Sequence, residues 1–295
     1  MVGVSDAQAL IDAAPYEVAE TCSPLVRRVL ARNPSPFTYT GTGTYIVGRG
    51  TVAVIDPGPA DPVHLAALQA AVAGETVSHI LVTHTHMDHS PAAPALKAVT
   101  GAAIMGCAPL VLRDDGPRAD AGFDPNYAPD RVLADGESVN GPGWTLTAVA
   151  TPGHTSNHLC FALAEERALF SGDHVMGWST TVVAPPDGDM AAYMASLALL
   201  IPRDDAVYYP THGAPVVEPQ RFVRGLVMHR KQRETQILKL LREGTHVIPA
   251  MVASMYSGVD PRLHPAAGRS VLAHLIDLRT RGLVADTGDT WRLAA

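Results

Sequence analysis

The residues best suited to chemistry lie within one short stretch of the sequence. It supplies three imidazoles and one carboxylate in six positions: His84, His86, Asp88 and His89. Neutral imidazole and carboxylate are ligands that suit zinc, iron or manganese. A structural zinc site normally recruits cysteine, and this stretch has none. The stretch therefore predicts an open, catalytic metal site.

The flanking sequence places this stretch between a strand and a helix. Residues 79–82 form a short, largely apolar and β-branched run, which predicts a buried strand. Residues 92–99 are rich in alanine and follow a proline, which favours a helix. A loop between two such elements can bend enough to direct several side chains at one point, so we expect the four ligands to converge.

Three later segments repeat this arrangement. His154, Asp173 and His212 each follow a predicted strand and lie beside glycine. Each alone would carry little weight, because Gly-His and Gly-Asp turns are common. With the first stretch they give seven candidate ligands, which is close to what two metal ions need while leaving positions for water and substrate.

Two upstream residues also need an interpretation. Asp56 ends the predicted strand of residues 51–55, and it either caps the helix predicted over residues 62–73 or orients a ligand histidine. His64, inside that helix, is interpreted as a surface histidine. Further upstream, alternation and β-branching predict strands over residues 37–48.

Length and composition describe an ordinary globular protein of one large domain or two. The 295 residues are 47% hydrophobic and 17% charged. The three cysteines are widely spaced, which argues against a disulfide scaffold and favours a reducing compartment. The N-terminus lacks the basic start and long apolar segment of a signal peptide, and no stretch reaches about 18 uninterrupted apolar residues. We therefore expect a cytoplasmic protein without a membrane span.

Charge is distributed unevenly along the chain. Residues 222–295 carry 11 Lys and Arg against 6 Asp and Glu, whereas the remainder carries 11 against 23, for a net charge of −7. This segregation predicts a catalytic domain over residues 1–219 and a C-terminal domain over residues 220–295. The acidic main body disfavours broad nucleic-acid binding. Residues 113–130 lack periodicity and predict a functional loop beside the site.

The C-terminal domain is predicted to be a winged-helix-like module. Its sequence favours three helices, over residues 220–242, 248–255 and 265–281, followed by a hairpin over residues 283–293. Two interpretations stay open. The module packs on the catalytic domain or forms a homodimer and shapes the substrate entrance, or its basic side chains bind a nucleic-acid backbone. Those side chains are Arg262, Arg269, Arg279 and Arg281.

The order of the ligand motifs resembles the metallo-β-lactamase superfamily over residues 35–215. The motifs are His-x-His-x-Asp-His, then Gly-His, Ser-Gly-Asp and Thr-His-Gly. The resemblance implies an αββα sandwich, in which two mixed sheets lie between helices, with two divalent metal ions, expected to be zinc, at one sheet edge. It assigns the first ion to His84, His86 and His154, the second to Asp88, His89 and His212, the bridge between them to Asp173, and the superfamily's early aspartate to Asp56.

Longer segments resemble one branch of this superfamily. Residues 33–45 and 171–182 are similar to the branch of beta-lactamase-like protein 2, except that Gly43 stands where the branch usually has asparagine. That branch includes an endoribonuclease for single-stranded RNA and bacterial relatives often compared with glyoxalase II. A β-lactamase is disfavoured, because lactamase subclasses have cysteine or serine around the position of Asp173. Glyoxalase II proper is disfavoured because the winged-helix-like module replaces its glutathione-binding part.

The predicted chemistry is hydrolysis. Two close divalent cations supply hydroxide from a bridging water near neutral pH and polarise the bond under attack, while Asp88 and Asp173 receive or relay the proton. The acidic body favours a small ester, thioester or lactone as the substrate. The alternative substrate is single-stranded RNA, which the branch implies. A metal-binding regulator that uses its winged helix on DNA is a third interpretation.

Overall fold

Two mixed β-sheets pack face to face between helices. A computed structural model describes residues 4–110 and 122–294 of the chain. The first sheet contains β1 (Ala19–Thr21), β2 (Val26–Leu30), β3 (Gly43–Arg49), β4 (Thr51–Ile55), β5 (Thr76–Val82), β6 (Ala103–Gly106) and β7 (Arg131–Val132). These strands lie side by side in chain order. Neighbours from β1 to β4 pair antiparallel, and neighbours from β4 to β7 pair parallel.

The second sheet contains β8 (Ser138–Gly141), β9 (Trp144–Ala150), β10 (Leu159–Leu163), β11 (Ala168–Gly172) and β12 (Val207–Pro210). Its order is β12-β11-β10-β9-β8, with β11 and β12 parallel and the other pairs antiparallel. Two hydrogen bonds tie it to the first sheet. The Trp144 indole donates to the Thr51 carbonyl at 2.9 Å, and the Tyr45 hydroxyl donates to the Pro210 carbonyl at 2.7 Å.

The Trp144 indole also explains the glycine at position 48. Gly48 has φ +102°, and a Cβ there would lie 2.4 Å from the Trp144 Nε1 atom. A larger residue would therefore meet both backbone strain and a steric clash. The main core lies between the two sheets and continues under two helices of the first sheet.

The helices of the N-terminal part are α1 (Val4–Asp12), α2 (Pro62–Ala71), α3 (Ala93–Thr100) and α4 (Met190–Leu200). Leu68 of α2 and Leu96 of α3 join the core of the first sheet, whereas Tyr193 and Leu197 of α4 join a second core on the outer face of the second sheet. The predicted αββα sandwich is therefore confirmed.

The C-terminal module follows the sandwich. Its elements are α5 (Pro219–Arg242), α6 (Ile248–Met255), α7 (His264–Thr280) and a hairpin of β13 (Val284–Asp286) and β14 (Trp291–Leu293). The module has its own core, which includes Ile237, Met251 and Trp291. The predicted winged-helix-like arrangement is confirmed. The first half of α5 packs instead on the second sheet through Val223 and Leu226, so α5 belongs to two cores, and a division at residue 220 stays a prediction.

Some local predictions differ from the structure. Residues 37–40 do not form a strand, because the Ser35 hydroxyl accepts hydrogen bonds from the Phe37 and Thr38 amides and Tyr39 has φ +58°, which turns the chain. β1 and β2 have no predicted counterpart, since two arginines interrupt the apolar pattern of β2. Across the described ranges, no helix is long and apolar enough to cross a membrane.

Candidate metal centre

Strand ends from both sheets meet at one edge and carry the candidate ligands. In the first sheet, β5 leads directly into residues 83–89, and β4 leads into Asp56. In the second sheet, His154, Asp173 and His212 follow β9, β11 and β12. All seven candidate ligands are at most 8% exposed. The loops after these strands therefore bring together side chains that are up to 128 residues apart, from His84 to His212.

One group of ligand atoms comes from His84, His86, His154 and Asp173, whose atoms all lie within 4.8 Å of one another. The His86 Nδ1 atom lies 3.0 Å from the His84 Nε2 atom and 3.2 Å from the His154 Nε2 atom. The His154 Nε2 atom lies 3.6 Å from the Asp173 Oδ2 atom. We call these four residues the first cluster.

A second group comes from Asp88, His89 and His212, again within 4.8 Å of one another. The Asp88 Oδ2 atom lies 3.2 Å from the His212 Nε2 atom and 3.4 Å from the His89 Nε2 atom. We call these three residues the second cluster. Asp173 also reaches it, with Oδ1 at 3.4 Å from the His212 Nε2 atom and Oδ2 at 3.6 Å from the His89 Nε2 atom. One carboxylate therefore stands between the two clusters.

Three of the candidate histidines are oriented as metal ligands require. A backbone or carboxylate acceptor at one ring nitrogen fixes a proton there, so that in the neutral imidazole the lone pair lies on the other nitrogen. Nδ1 donates in this way from His89 to Asp56 Oδ2 at 3.0 Å, from His212 to the Gly41 carbonyl at 3.0 Å, and from His154 to the Val182 carbonyl at 2.6 Å. Within the described part of the chain, the buried His89 Nε2 atom has no hydrogen-bond partner. These His and Asp groups are positioned to bind metal ions.

Asp56 lies behind the second cluster. Its Oδ1 atom accepts a hydrogen bond from the Thr83 amide at 2.8 Å, and its Oδ2 atom accepts from the Thr83 hydroxyl at 2.7 Å and from His89 at 3.0 Å. The side chain that caps α2 is Asp61, which accepts from the Val63 amide at 2.8 Å. Of the two interpretations of Asp56, the structure therefore favours contact with a ligand histidine over helix capping.

His64 is not a surface residue, so that interpretation is wrong. Its side chain is fully buried, with Nδ1 2.9 Å from Glu17 Oε2 and Nε2 2.9 Å from the Thr44 hydroxyl. The Thr44 hydroxyl in turn donates to the Asp56 carbonyl at 2.7 Å. His64 therefore connects α2 and the N-terminal segment to the backbone of Asp56.

The two clusters differ in charge. Burial, followed by the neighbouring imidazoles, holds the pKa of His84 well below its usual value. In the second cluster, burial lowers the pKa of His212, but Asp173 and Asp88 outweigh it and raise the pKa to about 10. The same two carboxylates raise the pKa of His89 well above its usual value against the effect of burial. Without metal, the second cluster is therefore an ion-paired network, and the first cluster includes a neutral imidazole.

Several residues that the sequence motifs do not single out hold the ligands in place. The Thr42 hydroxyl donates to Asp88 Oδ2 at 2.9 Å, and Asn33 Nδ2 donates to the Thr42 hydroxyl at 2.9 Å. The buried His158 accepts a hydrogen bond at Nε2 from the Asp173 amide at 3.2 Å. A threonine beside a strand and a lone histidine give no spacing pattern. The resemblance of residues 33–45 to one branch of the family is the one signal that pointed to Thr42.

Aromatic and apolar side chains lie beside both clusters. Tyr39 and Trp178 stack with their ring centroids 4.8 Å apart, and Trp178 is 37% exposed. The backbone next to this pair contacts His212, because Gly177, the residue before Trp178, donates its amide to the His212 carbonyl at 2.9 Å. On the other side, the Phe123 ring lies 4.6 Å from the His86 ring, and Met87 is 43% exposed. We call Tyr39, Trp178, Phe123 and Met87 the apolar rim.

The predicted loop over residues 113–130 contacts residues 85–87, which include His86 of the first cluster, through its residues 122–124. The Met87 amide donates to the Gly122 carbonyl at 2.9 Å, and the Asp124 amide donates to the Thr85 carbonyl at 2.7 Å. Residues 122–124 of the predicted loop therefore border the site. Residues 113–121 of it lie outside the described residues.

Comparison with protein families assigns both parts of the chain. Residues 39–212 match the metallo-beta-lactamase superfamily, and residues 248–291 match the beta-lactamase associated winged helix domain. The first match spans every candidate ligand. The second spans α6, α7 and most of the hairpin.

Individual proteins give the same picture. The chain is 32% identical to lactamase-like protein adaB of Aspergillus niger, over 85% of this chain and 77% of that protein. It is 35% identical to atrochrysone carboxyl ACP thioesterase AgnL7 of Paecilomyces divaricatus, over 77% of this chain and 68% of that protein. The crystal structure of a beta-lactamase domain protein from Burkholderia ambifaria has the same fold, with a TM-score of 0.78, 20% identity and 95% of each chain covered. The chain therefore belongs to the metallo-β-lactamase superfamily of hydrolases and carries a β-lactamase-associated winged helix domain.

Proposed function

We propose that this protein is a dinuclear, zinc-dependent thioesterase that hydrolyses thioesters of small, apolar acyl groups. The observation that carries the proposal is the position of Asp173, within 3.6 Å of His154 in the first cluster and of both histidines in the second. A carboxylate in this position can contact two metal ions at once, and each ion would have imidazole ligands of its own.

Thioester hydrolysis at this site needs an activated water, a proton acceptor and a leaving group. Two divalent ions bound at the clusters would lower the pKa of a water molecule towards neutrality and polarise the thioester carbonyl. Asp88, held by the Thr42 hydroxyl, takes a proton from the attacking water while the water oxygen bonds to the carbonyl carbon. The carbon–sulfur bond then breaks, and the sulfur leaves as a thiolate. Because a free thiol has a pKa of about 8.5, this leaving group needs little help from a strong acid.

The relatives support a thioester as the substrate. AgnL7, at 35% identity over 77% of this chain, is named a thioesterase for an acyl group carried by ACP. A small thioester also fits the acidic main body of this chain better than a polyanion such as RNA does, because like charges repel.

The apolar rim supports an apolar acyl group. The backbone beside Trp178 contacts that of His212, Trp178 stacks on Tyr39, and Phe123 lies against His86, which Met87 follows in the chain. The exposed face of Trp178 would cover apolar area of a bound acyl group, and aromatic faces stack well on flat groups. We therefore expect an aromatic acyl thioester to be a better substrate than acetyl thioester.

Three of the four arginines considered for nucleic-acid binding favour a small substrate over RNA. Arg262 pairs with Asp260 at 2.6 Å, and Arg279 pairs with Asp286. Arg281 pairs with Glu234 at 2.5 Å and with Asp277 at 3.0 Å. RNA binding draws its affinity from cations that are free to neutralise phosphates, and these three are already compensated by carboxylates.

A substrate panel tests the proposal. Metal-free protein is reloaded with zinc and assayed on S-benzoyl and S-acetyl thioesters of N-acetylcysteamine, an aryl ester, a lactone and labelled single-stranded RNA. We expect zinc-dependent thioester hydrolysis that falls at least about 100-fold in Asp88→Ala. Asp204→Ala is the matched control, since Asp204 is an exposed aspartate that pairs only with Arg167 among the described residues. RNA cleavage without thioester turnover would instead establish the nuclease alternative.

A further inference from the structure

The C-terminal module reaches the catalytic sandwich with a buried cation. Arg230 of α5 is 3% exposed, and among the residues that the structure describes no carboxylate lies within ion-pair distance of it. Its guanidinium lies over the Tyr193 ring at 5.2 Å and donates from Nη2 to the Thr181 carbonyl. A buried charge without a counter-ion is costly, so its contacts need a reason other than packing.

Residues 181 and 182, where Arg230 donates its hydrogen bond, also contact two candidate ligands. The Thr181 hydroxyl donates to the Asp173 carbonyl, and the next residue, Val182, accepts the His154 Nδ1 proton at 2.6 Å. The carbonyl that Arg230 contacts is that of the peptide bond between Thr181 and Val182. A shift of this peptide would therefore move the acceptor that orients the His154 ring and the hydroxyl that holds the Asp173 backbone.

Tyr193, whose ring lies under the Arg230 guanidinium, contacts the backbone next to the same two ligands. The Tyr193 hydroxyl donates to the carbonyl of His174, which directly follows Asp173. The backbone of Tyr193 lies against Gly153, where a Cβ would come within 2.3 Å of the Tyr193 Cα atom. Gly153 directly precedes His154. The guanidinium thus contacts both Thr181 and Tyr193, and each of these supports the backbone beside Asp173 and His154.

We propose that Arg230 is a positioning residue that couples the C-terminal module to the first cluster. Its planar, permanently charged side chain fixes the Thr181 carbonyl and the Tyr193 ring in one geometry, and thereby sets the direction of His154 Nε2 and the position of Asp173. A lysine could donate to the carbonyl but would lack the flat group that stacks on the ring. This proposal concerns metal binding and does not depend on which bond the protein hydrolyses.

The test uses the full-length chain. Arg230→Met keeps an unbranched, flexible side chain and removes the charge, and Arg230→Lys keeps the charge. Arg224→Met is the matched control, because Arg224 lies on the same helix and is exposed. Two readouts are independent of turnover: zinc affinity by competition with a chelator, and hydrogen exchange of the amides of residues 173–183 in metal-free protein.

We expect Arg230→Met to weaken zinc affinity about tenfold, at the lower end of the 10- to 100-fold effect typical of residues that orient metal ligands. In Arg230→Met, amide exchange should increase over wild type more in residues 173–183 than in the rest of the sandwich. Both the zinc affinity and the exchange of Arg230→Lys should fall between those of wild type and Arg230→Met. Arg224→Met should match wild type in both.

A second variant tests the same contacts and is needed if Arg230→Met does not fold. Thr181→Val retains the shape of the side chain but removes the hydroxyl bond to Asp173, and it should reproduce the loss of zinc affinity. In the double variant with Arg230→Lys, the two losses should be less than additive, because both act through the same peptide. Wild-type zinc affinity in a folded Arg230→Met or in Thr181→Val would overturn the proposal. So would exchange that rises equally throughout the chain, since that result describes general destabilisation.

Discussion

His89 donates its Nδ1 proton to Asp56 Oδ2 at 3.0 Å, and both side chains are buried at the edge where the two sheets meet. The same carboxylate accepts from the amide and hydroxyl of Thr83. Asp56 therefore sets the orientation of His89 Nε2 towards the second cluster and also satisfies the backbone where the strand ends.

This relationship predicts two separate losses for Asp56→Ala. Zinc affinity should fall about 10- to 100-fold, because His89 loses the acceptor that orients it. The free energy of unfolding of the metal-free protein should fall by about 1–3 kcal/mol, because buried donors lose their partner. Chelator competition and urea unfolding measure the two effects. Asp61→Ala is the control: it removes the cap of α2 and should lower stability while leaving zinc affinity unchanged. Unchanged zinc affinity in Asp56→Ala would contradict the assigned role.

Asp173 should affect zinc binding at both clusters, since it stands between them. We expect Asp173→Ala to weaken both binding events, whereas His84→Ala, which removes a candidate ligand of the first cluster alone, should weaken one more than the other. Zinc titrations of the metal-free variants, with the content checked after dialysis, separate the two patterns. If Asp173→Ala binds two zinc ions with wild-type affinities, Asp173 is not shared.

Zinc binding should release protons from the second cluster. The pKa of His212 is raised to about 10 and that of His89 lies well above its usual value, so both rings are cationic, with both nitrogens protonated, at pH 7 in the metal-free protein. Below these pKa values protons compete with zinc, so affinity at the second cluster should fall as pH falls, by up to about 10-fold per pH unit for each proton released. Affinity should level off as pH rises past about 10 for His212.

Calorimetry in buffers of different ionisation enthalpy counts the released protons. The first cluster provides the internal comparison, because burial keeps the pKa of His84 and His86 well below the usual value and these rings are already neutral at pH 7. A proton release that does not change between wild type and His212→Ala would show that His212 is not a competing proton site.

The apolar rim predicts substrate preference. Trp178→Ala should lower kcat/KM for the benzoyl thioester about 5- to 10-fold, consistent with the loss of roughly 1 kcal/mol of aromatic contact. The acetyl thioester should change little, because it is too small to reach the indole. Trp178→Phe retains an aromatic face and should preserve most of the preference. Equal losses on both substrates in Trp178→Ala would point to damage at the metal centre instead.

The candidate ligands could be recognised in the sequence because their chemistry is local. His84, His86, Asp88 and His89 fall in one stretch after a strand, and the later three ligands repeat the pattern of a strand end followed by a turn. The structure places His84, His86, His154 and Asp173 in one group and Asp88, His89 and His212 in another. The helices of the C-terminal module could also be predicted from the sequence, since α6 occupies the predicted residues 248–255 and α7 lies within one residue of its prediction at each end.

Other features depend on tertiary contacts that no local pattern reveals. His64 occupies a helix position that is compatible with exposure, yet Glu17 and Thr44 enclose it from distant segments. The turn at Tyr39 is made by the Ser35 hydroxyl, against the β-branched character of the segment. Arg230 contacts the metal centre through a backbone carbonyl. Because every residue has such a carbonyl, the residue types do not indicate this contact.

The most direct test of the central claim is a titration of the metal-free protein with zinc, in which hydrolysis of the benzoyl thioester is measured at each ratio of zinc to protein. The proposed dinuclear thioesterase predicts turnover that reaches its maximum at two zinc ions per chain and is lost in Asp173→Ala. Full turnover without zinc, or none on any thioester at saturating zinc while RNA is cleaved, would contradict it.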